Sequence, residues 1–162
     1  ECNRPESGPV AGSSYGSRTM TDQATVAERF ERSDETLRDW ERRIREGEPV
    51  DVAESTKTAI DVAKDLVKAY LQVLGRDWEG VEDDLLALWK VAVKKNPSLN
   101  TIRDNCRELV YYFNCVDMDR QDALPQNAER QAIRTARHLY LYLRTRAEEA
   151  GAVEKFQGLG AG

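Results

Sequence analysis

The chain reads as an all-α protein: an antiparallel up-down bundle of about five helices, with a polar extension before it and a thin tail after it. Three observations predict this. Apolar residues recur at three- and four-residue spacing through long windows, and no run shows the strict alternation of a half-buried strand. The interior is nearly free of helix breakers, because many of the ten glycines and five prolines gather at the two ends. At 162 residues, 40% hydrophobic and 33% charged, the chain has the length and composition of one soluble domain with one core.

The first helix is expected from Asp22 to Glu46, stopped by Gly47 and Pro49. Phe30, Leu37 and Ile44 form one row at seven-residue spacing, and Val26 and Trp40 lie on the adjacent row, which Ser33 interrupts. Nearly every other position is charged. So narrow a stripe is the seam of a helix laid on a single partner. Two readings follow: packing on its own bundle, or an arm for self-association through Val26, Phe30, Leu37, Trp40 and Ile44.

The second helix spans about Asp51 to Leu74, with Gly75 as its cap. Ile60, Ala63, Val67, Tyr70 and Leu74 make a face that Ala59, Leu66 and Leu71 widen, the mark of a central, well-buried helix. A third helix is expected over Val81 to Lys95, with Glu82, Asp83 and Asp84 in its first turn and Lys94 and Lys95 in its last, both favourable to the helix dipole. Asn96 and Pro97 end it. Ser98 or Asn100 is the expected cap of a fourth helix over Leu99 to Asn114. The polar stretch Cys115 to Pro125 reads as a loop, and a fifth helix follows from Gln126 to Ala150, closed by Gly151.

Residues 1–20 are rich in glycine and serine and nearly without apolar side chains, so they are expected as a disordered extension or leader, with Met20 as a natural start. The folded domain is expected over 21–151 and a flexible tail over 152–162. No apolar run approaches the roughly 20 residues that cross a bilayer, so no membrane segment is expected.

The net charge of −5 argues against a surface that binds nucleic acid nonspecifically, although it leaves room for a local basic site. Three cysteines cannot all pair, and Cys106 and Cys115 lie too far apart along one helix to bridge. They read as reduced core thiols of a cytoplasmic, reducing compartment. With one histidine and scattered cysteines, no metal site and no cofactor are expected. Asp117, Asp119 and Asp122 lack the glycine and terminal glutamate of a calcium loop, and Asp122 is expected to help start the last helix.

The fifth helix carries the main candidate for binding. Arg130, Arg134 and Arg137 recur at helical spacing, with Arg144 and Arg146 beyond them and only Glu129 to offset them before Glu148. Arginine rather than lysine favours forked recognition of carboxylate or phosphate. These guanidinium groups either pair with acidic surfaces such as Glu82–Asp84 or contact an external anion, RNA included. His138 stands beside them as the sole candidate general acid or base.

Three segments give a family resemblance: Ala63 to Ala69 with Gly75; Asp84 to Lys90; and Ala132 to Leu139 with Tyr142 and Leu143. Their order resembles the HEPN-like helical domains of prokaryotic abortive-infection and toxin systems. Members that cleave RNA carry an arginine followed a few residues later by a histidine, near the start of the last helix. Here Arg120 stands in the corresponding loop with no histidine after it through Asn127, and His138 falls well inside the helix. The resemblance therefore implies a member kept for binding or assembly. The function expected is a non-enzymatic helical interaction module with a protein partner, a homo-oligomer first. The alternative is a metal-independent ribonuclease or RNA-binding domain using Arg134, Arg137 and His138.

Overall fold

The structure, a computed structural model, describes residues 23–155. The extension expected over 1–20, with Cys2 and the start at Met20, lies outside them, as does the tail beyond residue 155. The described chain is helical throughout, with no strand: α1 (Val26–Arg45), α2 (Val52–Val73), α3 (Leu85–Lys95), α4 (Arg103–Asp117) and α5 (Ala128–Glu149). Two 3-10 segments, Pro97–Ile102 and Gln121–Ala123, join the later helices.

Helix ends follow local capping chemistry. Helix α1 begins after Thr25, whose hydroxyl accepts from the Glu28 amide at 3.1 Å while the Glu28 carboxylate accepts from the Thr25 amide at 3.0 Å. This reciprocal box satisfies two orphan donors and starts the helix later than Asp22. Asp51 caps α2, accepting from Glu54 at 3.0 Å. Gly75, at φ +70, turns the chain out of α2 so that the Arg76 amide donates to the Leu71 carbonyl at 2.9 Å.

Helix α3 starts at Leu85 and not at Val81. Gly80 adopts φ +78 and the Val81 amide closes a turn onto the Trp78 carbonyl. Asp84 is then the cap, accepting from Ala87 at 3.0 Å. Neither Glu82 nor Asp83 lies in a helical first turn, and Asp83 instead meets Lys64 and Lys68, each at 3.3 Å. At the other end Asn96 accepts from the Ser98 amide at 3.2 Å and caps the 3-10 segment, while α4 begins at Arg103 rather than Leu99, after Ile102 and with no side-chain cap, so neither Ser98 nor Asn100 caps it.

Helix α4 runs on to Asp117, drawing Cys115 out of the expected loop and into the interior. Asp119, at φ 55, then breaks it. Asp122 does not start the last helix. It accepts from Arg120 at 3.0 Å, and the chain enters α5 through Asn127 at φ 62, with no side-chain cap.

Helix α2 is the central element, as its broad apolar face predicts, with Ala59, Ala63, Leu66, Ala69 and Leu71 fully buried. Helix α1 crosses it antiparallel. The Gln72 amide group near the end of α2 donates to the Ala24 carbonyl at 3.0 Å, and six residues (46–51) join the other ends. Helix α5 packs against both α2 and α1, most extensively against α2, and runs antiparallel to α1, with Phe30 and Tyr140 meeting edge to face at 6.1 Å. Helix α4 closes the opposite flank, where the Thr135 hydroxyl donates to the Glu108 carboxylate at 2.6 Å. Helices α2 and α5 share a direction, and the Ser55 hydroxyl at the start of one reaches the Glu129 carbonyl at the start of the other, at 3.3 Å.

An arginine-lined candidate site between the first and last helices

Helices α1 and α5 meet along their apolar rows and leave a crevice beside them. On α1 the residues turned to it are Asp34, Arg38, Glu41 and Arg45, which recur at three- and four-residue spacing. On α5 they are Arg130, Arg134, Arg137, Leu141 and Arg144, with the same spacing. A helix offers one such line per face, so the crevice follows from two facing lines of polar residues beside two facing lines of apolar ones.

Arg137 divides the crevice. Its Nε and one terminal nitrogen donate to the two oxygens of Glu41, at 3.0 and 2.7 Å, and the other terminal nitrogen donates to Asp34 at 2.7 Å. The guanidinium also lies over the Tyr140 ring, 4.9 Å from its centroid. Burial opposes the charge on Arg137, but the Glu41 and Asp34 carboxylates outweigh it and hold the group above the ordinary arginine value. Each of its three guanidinium nitrogens donates to a carboxylate, so Arg137 positions the two helices rather than offering itself to a ligand.

The hollows on either side of this pair differ in charge. The upper one, about 400 Å³, balances three arginines against Asp34, Glu41 and Glu148. Arg38 pairs with Asp34 at 3.0 Å and Arg144 with Glu148 at 3.1 Å, and the exposed side chain of Leu141 stands at its edge. The lower hollow, about 260 Å³, places Arg45, Arg130, Arg134 and Arg137 against Glu41 alone, over Ile44 and Ile133. Arg45, Arg130 and Arg134 are exposed and make no ion pair with a described residue. Within a chain of net charge −5, the lower hollow is a local cationic site with an apolar floor.

The structure thus brings Arg130, Arg134 and Arg137 together, as their spacing implies, and places Arg144 in the adjoining hollow. Their expected intramolecular partners are corrected. None meets Glu82, Asp83 or Asp84; the acids that serve Arg137 are on α1, because α5 packs against α1 and α3 lies elsewhere. His138 is exposed, lines neither hollow, and makes no hydrogen bond or ion pair among the described residues.

The residues expected to form a self-association arm lie inside the bundle of one chain. Phe30 and Leu37 are 0% exposed and Trp40 is 7% exposed, with Val26 and Ile44 packed against the same core. The narrow seam of α1 is filled by its own α2 and α5, so a second copy could reach it only by opening the bundle. Sequence reasoning missed Asp34, Glu41 and Arg45. Their signal was present: Asp34, Arg38, Glu41 and Arg45 form a helical line beside the apolar seam.

Among the described residues no group of three or more histidine, cysteine or acidic side chains is arranged to hold a metal, and no helix is long and apolar enough to cross a membrane. Cys106 and Cys115 are free and buried. No protein-family model, curated protein or solved structure matches the chain.

Proposed function

We propose that the chain is a non-enzymatic helical interaction module that docks a protein partner in the crevice between α1 and α5. The observation that carries this reading is the lower hollow: three arginines without acidic partners among the described residues, held at one place by two helices over an isoleucine floor. Sites on helices hold geometry better than sites on loops, and Arg is among the residues enriched where proteins meet. Among the described residues His138 makes no hydrogen bond or ion pair with an acid and lines neither hollow of the crevice, which favours binding over catalysis. Two buried, free thiols suit a cytosol-like, reducing compartment.

The test is a photo-crosslinking side chain placed at Arg134 of the full chain, expressed in the cells it comes from. A discrete protein adduct is expected there, absent when the group stands at Lys94 on α3 and lost when Arg130→Glu is added. A companion assay incubates the chain with labelled single-stranded RNA, with and without a chelator. Intact RNA is expected, and metal-independent cleavage abolished by His138→Ala would replace this reading with a ribonuclease.

A further inference from the structure

Resting on the reading of the crevice as a docking site, we infer that the lower hollow recognises an acidic protein segment, with carboxylates on Arg45, Arg130 and Arg134 and one apolar side chain on Ile44 and Ile133. Charge is the first argument. Four arginines face one glutamate there, and Arg137 is already committed to Glu41 and Asp34, which leaves three forks for an incoming anion.

Placement is the second argument. Arg130 and Arg134 stand four apart on α5, where like charges repel, and Arg130 lies in the first turn, at the positive end of the helix dipole. No side chain caps that end. Each placement works against the free helix, and each is relieved when carboxylates bridge the guanidinium groups.

Shape separates a peptide from a nucleic acid. The hollow, about 260 Å³, falls below the roughly 300–1,000 Å³ of pockets that enclose small ligands, and suits the insertion of one side chain. Its floor is aliphatic. No aromatic ring among the described residues lines it, and Tyr140 in the adjoining hollow is only 6% exposed and is covered by Arg137, so the hollow has no free platform on which a base could stack. An RNA strand also carries its charge along its whole length and meets the repulsion of a chain at −5, whereas a short acidic segment meets chiefly the local excess. The apolar contact supplies affinity without salt dependence, and the arginines set orientation and partner choice.

The test is selection from a display library of random peptides on the full chain, counter-selected against an Arg130→Glu/Arg134→Glu variant whose helicity is checked by circular dichroism. Enrichment of Asp and Glu around one apolar residue is expected. A selected peptide should lose about tenfold in affinity per arginine replaced, and comparably when its acids become amides. Enriched sequences that are neutral or basic, yet still depend on the crevice, would overturn the acidic partner and leave the docking reading standing. No crevice-dependent peptide, together with no adduct at Arg134, would overturn both. Crevice-dependent sequences from a parallel random-RNA selection, with none from the peptides, would assign the hollow to phosphate.

Discussion

Arg29, 1% exposed, forms an ion pair with Asp65 from inside the contact between α1 and α2, while its Nε donates to the Gln72 side chain at 2.9 Å. Its guanidinium also lies over Trp78, 5.0 Å from the ring centroid, and Asp65 takes a second arginine, Arg32, at 2.9 Å. A charge in the interior is tolerated because a carboxylate, an amide oxygen and an aromatic face surround it. Removing the anion and removing the cation are therefore unequal changes. Asp65→Ala leaves the guanidinium buried and is expected to cost roughly 3 kcal/mol or more, whereas Arg29→Met removes the charge with its need for a partner and is expected to cost clearly less. Urea denaturation of both variants checks the order, and an Arg29→Met variant as unstable as Asp65→Ala would show that the pair contributes stability rather than register.

The seam of α1 gives a second prediction. Leu37 is 0% exposed beneath α2 and α5, so Leu37→Ala should destabilise the folded monomer by roughly 2–5 kcal/mol through lost burial and the cavity left behind. Sedimentation across a concentration series should give the same dependence of mass on concentration as the unaltered chain. A variant that keeps its stability but loses an oligomer would restore Leu37 to an interface between copies.

How far the sequence carried is clear from the two faces of α1. Apolar spacing alone placed Phe30, Leu37 and Trp40 on one stripe, and the structure buries all three. What spacing cannot supply is the identity of the surface that covers a stripe, since an intramolecular helix and a second copy present the same apolar rows. The same gap explains the arginines. Their periodicity put Arg130, Arg134 and Arg137 together, but choosing the acids of Arg137 needed the order of helices around α2, which periodicity does not encode. Arg29 was illegible for another reason. A lone arginine among charged neighbours reads as solvated, and only the approach of α2 with Asp65 and Gln72 turns it inward.

Burial pushes the Cys106 thiol up to about 12, from an ordinary value of 9.0. The folded chain therefore keeps this proton where the unfolded chain has lost it. That contribution to stability is complete below pH 9.0 and declines as pH rises from there toward about 12. Buried Tyr112 and Tyr140 are raised as well and add slopes of the same sign, so a comparison is needed to isolate the thiol. The expected result is a shallower loss of stability with alkaline pH in Cys106→Ala than in the unaltered chain, by chemical denaturation at several pH values. Parallel slopes would show that the thiol ionises equally in both states. The same burial predicts that Cys106 resists alkylating reagents until the chain unfolds.

The crevice itself makes the most discriminating prediction, because it opposes binding to stability. Arg130 sits in the first turn of α5, four residues before Arg134, and has no acidic partner among the described residues. A glutamate at that position would face the positive end of the helix dipole and pair with Arg134, so Arg130→Glu is expected to stabilise the fold by about 0.5 kcal/mol. The same change should remove whatever anion the hollow holds. Residues kept for binding at the expense of the free fold commonly show this opposition. Thermal unfolding at low ionic strength measures the first effect, and raised salt should shrink it by screening. A less stable Arg130→Glu variant would mean that the arginine already has a favourable structural role in the free chain and is not held there for a ligand.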